Sequence, residues 1–303
     1  MSGRARLSLG QRLVLALPYA YLTLFFLAPF ALIVKISLSQ QAIAMPPYAP
    51  VLAWSDGPAI WWEKAQNLGL ESYRVLFADA IYLDAALSSL FVATVSTLVA
   101  LAIGFPLALA IARSPERWRP LFVMLAVAPF WTSFLVRVYA WIMILKDEGL
   151  LNHALLALGL ISEPLEIFAT RGAVILGVVY SYLPFMILPL YAALEKQDAA
   201  LREAAADLGA TPWRVFASVT LPLSLPGIVA GCMLVFIPAM GEFVIPDLLG
   251  GSDTLMIGRQ LWNEFFSNRD WPTASAVAIM LLALILAPLT LYERHRIAQE
   301  GGK

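Results

Sequence analysis

Residues 203–222 read EAAADLGATPWRVFASVTLP and form a polar stretch between two long apolar runs. The alanine run 204–206 favours helix, and Gly209 interrupts it. Thr211 is suited to cap a second helix, and Pro212 is suited to its first turn. The stretch therefore predicts a helix-turn-helix hairpin on one face of a membrane, and a solvated interhelical loop is the simpler alternative.

The predicted hairpin has features of a docking surface. Small residues at its bend allow the backbone of another protein to approach closely. Charges of both signs flank the bend and can guide a partner to it. These charged residues are Arg202, Glu203, Asp207 and Arg214.

Composition places the chain in a lipid bilayer. The 303 residues are 60% hydrophobic and 14% charged, with a mean hydropathy of +0.77. A soluble core of this size cannot bury so much apolar surface. The single cysteine, Cys232, lies in an apolar run and excludes an intrachain disulfide framework. A soluble secreted enzyme is therefore excluded.

Six apolar stretches have about the 20 residues needed to cross a bilayer. They cover approximately residues 13–38, 86–112, 121–145, 173–194, 227–249 and 274–291. The first is too long for the core of a signal peptide, so we expect it to be retained. The predicted organisation is a cytoplasmic tail (1–12), a first span (13–38), a periplasmic loop (39–85), a core with five spans and the hairpin 203–222 (86–293), and a second cytoplasmic tail (294–303).

The distribution of Lys and Arg predicts the orientation of these spans. If six helices alternate, the two tails, the short second connection and the hairpin share the side that is richer in bases, which is the cytoplasmic side. Residues 39–85 are rich in Pro and Trp and suggest an irregular periplasmic lid, which either touches a soluble binding protein or only anchors in the interface. Residues 149–161 suggest a short amphipathic helix at the membrane surface.

Sequence motifs for nucleotide binding and for enzyme chemistry are missing. No phosphate-binding G-x-x-x-x-G-K-[ST] loop occurs, and the one Gly-Lys pair is Gly302-Lys303. No metal site is predicted, because His153 and His295 lie in a loop and a tail where solvated side chains are expected. A membrane-embedded enzyme would need a reactive constellation that the sequence does not show. A passive channel would not need a docking surface such as the predicted hairpin.

Two charges fall inside predicted spans, where a charge is unfavourable by about 2.5–3.5 kcal/mol. Arg137 lies in the third span and Glu242 in the fifth, at similar predicted depth. One hypothesis is a structural ion pair between Arg137 and Glu242. The other is that Glu242 faces a pathway and meets a cationic substrate, and the sequence leaves both open.

The hairpin resembles the EAA loop of binding-protein-dependent ABC importer permeases. Glu203, Ala204, Ala205, Gly209 and the closing Leu221-Pro222 match that loop, whereas Val219 replaces its usual Ile. Longer segments resemble the polyamine permeases, especially those that transport putrescine. These segments are residues 129–141, 236–251 and 257–272.

The resemblance implies an all-α polytopic membrane protein with six transmembrane helices and the type I ABC importer permease (MetI-like) fold. It implies a bacterial inner-membrane complex with a second permease subunit, an ABC ATPase dimer and a periplasmic polyamine-binding protein, and no nucleic acid. ATP and Mg would be used by the ATPase, and this chain would hold no cofactor. The implied ATPase-coupling residues are Glu203, Ala204, Ala205, Asp207, Gly209, Arg214, Leu221 and Pro222.

A polyamine substrate also fits the predicted outer surface. The periplasmic loops carry more acidic than basic side chains, which favours cations at the entrance. Aromatic rings can add cation–π contacts to an ammonium group. The proposed pathway residues are Trp131, Tyr139, Tyr182, Phe236, Glu242 and Asp247. The same features are also explained by the sorting of Lys and Arg to the cytoplasmic side and by ordinary packing of aromatic rings. Spermidine, an opine or another small solute is an alternative substrate.

Overall fold

The computed structural model describes residues 9–53 and 55–300, and it is helical nearly throughout. The predicted helical class is confirmed. Its α-helices are α1 (Leu9–Leu22), α2 (Ala28–Ser37), α3 (Pro58–Gln66), α4 (Glu71–Ala78), α5 (Ala80–Arg113), α6 (Arg119–Val127), α7 (Phe134–Leu145), α8 (Leu150–Ala157), α9 (Arg171–Glu195), α10 (Ala199–Asp207), α11 (Pro212–Val215), α12 (Leu221–Leu223), α13 (Leu225–Met240), α14 (Val244–Leu249), α15 (Ile257–Trp262) and α16 (Trp271–Glu300). Short π-helical segments, Thr23–Leu27, Phe216–Thr220 and Asn263–Ser267, and a 3-10 turn, Ala128–Trp131, connect some of them.

The chain divides into two compact units. The first combines the residues up to Leu83 with those from Leu261 onward, and the second covers Asp84–Gln260. In the first unit, α2 packs against α16. Helical residues 14–37 expose their apolar side chains, as expected of a span that faces lipid or another chain.

The segment after the first span is more regular than the predicted irregular lid. A two-stranded antiparallel hairpin, β1 (Gln40–Gln41) and β2 (Tyr48–Ala49), is followed by α3 and α4. The loop before α3 is held by Asp56, whose Oδ2 accepts hydrogen bonds from the Lys64 ammonium (2.6 Å) and the Ala53 N–H (2.9 Å). These bonds lower the pKa of the Asp56 carboxyl. Pro58 then starts α3 at a position where no N–H is needed.

In the second unit, α9 packs closely against α13. The buried core of this unit includes Ala108, Met186, Leu190 and Val235. Gly227 permits the close approach, because a Cβ there would lie 2.6 Å from the Ala193 Cβ. Small residues of this kind let helices pack tightly in a membrane, where the hydrophobic effect does not drive association.

Two of the predicted spans are continuous helices, but two others are broken. Helices α5 and α9 contain the predicted spans 86–112 and 173–194. The predicted span 121–145 is wrong as a single helix, because α6 and α7 meet at a bend of 86°. Pro129 lies in the 3-10 turn before the bend and cannot donate a backbone hydrogen bond there. Thr132 then adopts extended backbone, and Ser133 is also non-helical.

The predicted span 227–249 is also wrong as a continuous helix. Helix α13 ends at Met240, and the chain restarts as α14 at Val244. Among the described residues, the helices long and apolar enough to cross a membrane are Val14–Ser37, Ala80–Arg113 and Arg171–Glu195, and counting each bent pair as one span raises the number to five at most. The apolar part of α16, Trp271–Leu286, is shorter. Six crossings and the domain limits therefore stay predictions.

The ends of the chain lie partly outside the described residues. Residues 1–8 and 301–303, including the Gly302-Lys303 pair, are outside them, as is the side chain of His295. The predicted tail from residue 294 begins as helix, because α16 continues to Glu300.

Candidate functional site: an exposed hairpin and two membrane charges

Helix α10, the first arm of the hairpin, is capped at both ends. The Asp198 side chain accepts a hydrogen bond from the Ala200 N–H (2.9 Å) at its start. At its end, the Gly209 N–H donates to the Ala206 carbonyl (2.8 Å), and the Ala210 N–H donates to the Ala205 carbonyl (3.1 Å). This is the Schellman pattern, which needs a left-handed residue after the helix.

Gly209 supplies that left-handed residue. Its φ is +81°, a backbone conformation that is strained for residues other than glycine. A Cβ added there would meet nothing within 4 Å. Within the chain, Gly209 is therefore required by its backbone conformation and not by close packing.

The second arm of the hairpin starts as the sequence predicted. The Thr211 hydroxyl accepts a hydrogen bond from the Arg214 N–H (3.4 Å), and Pro212 occupies the first turn of α11. The π-helical segment Phe216–Thr220 continues the arm to α12. The predicted helix-turn-helix is thus confirmed as local structure, and a plain solvated loop is excluded.

The hairpin presents its side chains outward. Most of the predicted coupling residues are exposed, namely Glu203, Ala204, Asp207, Gly209, Arg214, Leu221 and Pro222, whereas Ala205 is half-buried. Sequence reasoning missed two large apolar residues beside the bend, Leu208 and Trp213, which are 89% and 74% exposed. Their position on either side of Gly209, in an otherwise polar stretch, was an available signal. They give the hairpin an apolar tip.

The hairpin is fastened to the helices beneath it. The Trp213 ring stacks on the Phe216 ring at 5.4 Å, and Phe216 meets Phe105 of α5 edge to face at 5.7 Å. The Gln197 amide donates to the Thr220 carbonyl (3.1 Å) and to the Ser224 hydroxyl (2.9 Å). Ring contacts therefore connect Trp213 of the hairpin, through Phe216, to Phe105 of α5.

Glu242 lies just beyond α13 and is buried. Its Oε1 accepts hydrogen bonds from the backbone N–H groups of Phe243 (3.1 Å), Val244 (3.0 Å) and Ile245 (3.4 Å). The Tyr182 hydroxyl donates to Oε2. The carboxylate thus satisfies the free N–H groups at the start of α14, where a negative charge is also favoured by the helix dipole.

Arg137 does not pair with Glu242, so the predicted ion pair is wrong for this chain. Nε and Nη1 of Arg137 are buried without a hydrogen-bond acceptor in the described part of the chain. The guanidinium lies 5.5 Å from the Phe130 ring centre and 5.9 Å from that of Phe134. The physical reason is local: the carboxylate of Glu242 is already used by the backbone of α14.

A row of aromatic rings connects the surroundings of the two charges. The centre of the Phe130 ring, beneath Arg137, lies 5.0 Å from that of Phe185. Phe185 in turn lies 6.1 Å from Tyr182, which holds Glu242. A series of ring contacts therefore links the surroundings of Arg137 to those of Glu242.

The other pathway candidates lie in different environments. Trp131 and Tyr139 are 72% and 54% exposed, and Phe236 is half-buried. Asp247 is exposed and forms an ion pair with Arg259 (Oδ1 to Nε, 3.1 Å). Among the described residues, Tyr182 and Glu242 are the two members of the predicted set that share a hydrogen bond, ion pair or ring contact.

No group of three His, Cys, Asp or Glu residues suited to a metal ion occurs among the residues that the structure describes. Near the predicted surface helix α8, the His153 ring contacts the Gly149 carbonyl at 3.0 Å. This contact ties the ring to the start of its own helix.

Comparison with solved structures supports the fold. A chain of a bacterial ABC transporter involved in the import of the acidic polysaccharide alginate superposes with a TM-score of 0.68 over 93% of this chain and 94% of that one, at 18% identity. A second structure, of bacterial alginate ABC transporter in complex with an alginate pentasaccharide-bound periplasmic protein, gives a TM-score of 0.62 at 20% identity over 78% and 86% of the two chains. At these identities, the likeness concerns the fold alone.

Relatives found by sequence share a higher identity with the chain than these two structures do. The chain is 39% identical over 94% of its length to the spermidine/putrescine transport system permease protein PotB of Haemophilus influenzae, of which it covers 93%. It is 44% identical to PotB of Escherichia coli K12 over 74% of this chain and 82% of that protein. The inner membrane ABC transporter permease protein YdcU of the same strain is 37% identical over 73% and 75% of the two chains. The narrower expected resemblance, to the putrescine permease PotH, stays a prediction.

These relatives are permease subunits of transporters, as the sequence predicted, and not enzymes. The pattern of the family described as "Binding-protein-dependent transport system inner membrane component" matches residues 12–294, which is nearly the whole chain. The hairpin 203–222 and the helical fold are consistent with this family match. The chain belongs to the family of inner-membrane components of binding-protein-dependent transport systems.

Proposed function

We propose that the chain is a permease subunit of an ATP-driven, binding-protein-dependent importer of polyamines, with putrescine as its substrate. The observation that carries the transport mechanism is the capped, outward-facing EAA hairpin. The polyamine substrate is supported by the names of its relatives at 39–44% identity. Spermidine is the first alternative, since the same relatives carry both names, and an opine or another small solute is the second.

The hairpin acts as the dock for the ATPase. Leu208 and Trp213 supply an apolar centre of the kind that anchors protein interfaces, and the charges around them supply orientation. Binding and hydrolysis of ATP with Mg in the partner ATPase move the hairpin. The contact between Phe216 and Phe105 carries this movement into α5. The helices then alternate between inward-open and outward-open arrangements.

The outer side suits a cationic solute. Asp147, Glu148 and Glu166 line an open cavity of about 500 Å³, together with Lys146 and Phe168. Carboxylates that line such a cavity raise the local concentration of cations. In this orientation both termini are cytoplasmic, and a periplasmic polyamine-binding protein delivers the substrate. The second permease subunit and two copies of the ATPase complete the complex.

Uptake of radiolabelled putrescine in cells that express the full operon tests this function. The host should lack its own polyamine uptake, and the matched control should lack only this chain. We expect uptake that requires the chain and is lost when the partner ATPase cannot hydrolyse ATP. Competition with unlabelled spermidine or an opine ranks the substrates. Uptake that continues without ATP hydrolysis would indicate a passive channel and contradict the proposal.

A further inference from the structure

An open groove at the base of the hairpin has no role in the transport mechanism proposed above. Its volume is about 630 Å³, and it runs between the last turns of α9 and the first turns of α13. Its two walls consist of small or cyclic side chains, which leave room for another molecule. These residues are Pro189, Ala192 and Ala193 of α9 and Pro226, Gly227 and Ala230 of α13. The volume and the apolar walls are typical of a ligand site.

The two walls of the groove run in opposite chain directions. A Cβ at Gly227 would meet Ala193, whereas a Cβ at Gly231 would meet Met186, which lies earlier in α9. The end of α9 therefore lies beside the start of α13. The hairpin connects these two helix ends, so this end of the groove opens on the same side of the membrane as the hairpin.

The polarity of the lining changes along the groove. Lys196, Gln197 and Asp198 line the hairpin end. Pro189 lies about 10 Å from Lys196 along the axis of α9, at about 1.5 Å per residue. Because α9 is long and apolar enough to cross a membrane, this distance leads from the membrane surface into the hydrocarbon layer. The groove therefore suits a molecule with a polar head and an apolar chain.

Lys196 gives the polar end an available positive charge. It is exposed, and it forms none of the ion pairs found among the described residues. The neighbouring acids are engaged elsewhere. Asp198 caps α10. Glu195 accepts a hydrogen bond from the Tyr191 hydroxyl (2.5 Å) and pairs with Arg119 (3.9 Å). An ammonium group at the membrane surface, beside a pocket between helices, attracts the phosphate of an anionic lipid.

We propose that the groove binds an anionic phospholipid, with its phosphate at Lys196 and an acyl chain between Ala192 and Ala230. The inference rests on the proposed function, which places the hairpin and therefore the headgroup on the cytoplasmic side. Gln197 lines the same groove, and its amide fastens the second arm of the hairpin. The lipid therefore lies beside the bonds that hold the proposed ATPase dock.

Two other occupants fit the groove less well. The ATPase lies outside the hydrocarbon layer and does not reach the deep part near Pro189. A transmembrane helix of the second permease subunit reaches the deep part, but it supplies no anion to Lys196. A phospholipid satisfies both ends at once, because its headgroup stays at the membrane surface while its chains fill the apolar layer.

The first test locates the lipid. The assembled complex is reconstituted with a small fraction of phosphatidylglycerol that carries a photoreactive group on one acyl chain, and labelled peptides are identified by mass spectrometry. We expect labelling of residues 189–193 and 226–230 that excess unlabelled phosphatidylglycerol removes. Labelling that does not saturate would mean contact with bulk lipid only. Labelling of the chain alone but not of the complex would mean that the second subunit covers the groove. Either result would overturn the proposal.

The second test fills the groove. Ala230 is exposed, so the ring of Ala230→Phe extends into the open groove and should abolish the saturable labelling of residues 189–193. The matched control is Leu98→Phe, because Leu98 is 59% exposed on α5 and lies outside the groove. Its labelling should equal that of the wild type. Unchanged labelling with Ala230→Phe would refute the site. If Ala230→Phe lowers the membrane level of the chain, the headgroup variant decides.

The headgroup variant is Lys196→Gln, which removes an exposed charge and leaves the walls intact. We expect labelling by the phosphatidylglycerol probe to fall about fivefold, with no change for a phosphatidylcholine probe that carries the same photoreactive chain. The matched control is Arg113→Gln, an exposed base at the end of α5 outside the groove. Equal labelling of wild type and Lys196→Gln by phosphatidylglycerol would contradict the assigned headgroup site.

Labelling is measured without transport, so the two proposals fail separately. A complex with saturable labelling in the groove and no polyamine uptake would contradict the proposed function and leave the lipid site standing. A complex with normal uptake and no saturable labelling would contradict the lipid site alone.

Discussion

The hairpin 203–222 and the Glu242 segment use charged groups in opposite ways. In the hairpin, local caps satisfy backbone groups at the helix ends, and Glu203, Asp207 and Arg214 are exposed at the surface. At Glu242, the side chain itself caps the backbone and is buried. An exposed charge is available to a partner, whereas a buried charge is committed to the fold. The difference teaches that a charge in an apolar sequence is not by itself a substrate site.

The largest effect is expected at the buried member of this comparison. Glu242→Ala leaves the N–H groups at the start of α14 and the Tyr182 hydroxyl without their acceptor. We expect the chain to lose about 3 kcal/mol or more of folding free energy, seen as low membrane levels and a lower unfolding temperature in detergent.

Two variants sharpen this prediction. Glu242→Gln keeps one oxygen for the backbone and an N–H₂ group that can donate to Tyr182, so it should retain most of the stability. Adding Arg137→Gln to Glu242→Ala should not rescue the fold, because the two charges do not pair. A rescue would show that the separation of the two charges described above is wrong.

At the exposed member of the comparison, transport should fall while the fold remains. Gly209→Asp places a side chain and a charge at the bend, where nothing from the chain itself lies within 4 Å. We expect uptake to drop roughly tenfold or more through lost ATPase docking, with normal levels of the permease in the membrane.

Asparagine at the same position separates two reasons for the glycine. Asn tolerates the left-handed conformation better than other residues do. If close approach of the ATPase matters, Gly209→Asn should impair uptake almost as strongly as Gly209→Asp. Wild-type uptake with Asn would mean that only the backbone conformation counts, and wild-type uptake with both variants would refute the docking role.

At Tyr182, we expect a smaller loss of folding free energy than with Glu242→Ala. Tyr182→Phe removes one of the donors to Glu242 and leaves the backbone donors in place. The loss should be about 1.5–3 kcal/mol, the range for a hydrogen bond to a charged group, measured by thermal unfolding. The matched control is Tyr180→Phe, whose ring packs on Trp141 at 5.4 Å. An unchanged stability for Tyr182→Phe would weaken the view that Glu242 is fully committed to structure.

The smallest effect on stability is expected at Asp247. Its ion pair with Arg259 is exposed, and such pairs contribute about 0–1 kcal/mol. A double-mutant cycle of Asp247→Asn and Arg259→Gln should give a coupling energy in that range. Uptake decides the pathway role of Asp247: a rise in the Km for putrescine with Asp247→Asn, but not with Arg259→Gln, would support it. Identical uptake by both variants and the wild type would remove Asp247 from the pathway.

The local structure of the hairpin was predictable because its causes are close in sequence. The Thr211 cap, the Pro212 start and the Gly209 bend each depend on bonds that span five residues or fewer. The break between α6 and α7 was not predicted, although Pro129 and the polar Thr132 and Ser133 mark it. Proline is common in membrane helices and often only bends them, so the sequence did not distinguish a kink from an 86° turn.

The sequence by itself determined the membrane class, the local structure of the hairpin 203–222 and the family, because these follow from composition and from short-range spacing. Only the tertiary structure decided what the two membrane charges do. The Tyr182 hydroxyl reaches Glu242 across 60 residues of sequence, and Arg137 lies over the Phe130 ring. Arg137 and Glu242 were predicted at similar depth in the membrane, which made a direct ion pair plausible. Depth alone does not say whether two side chains face each other. Tertiary packing decides which side of each helix faces its neighbours. It also decides that α13 ends at Met240, and the sequence pattern does not reveal either.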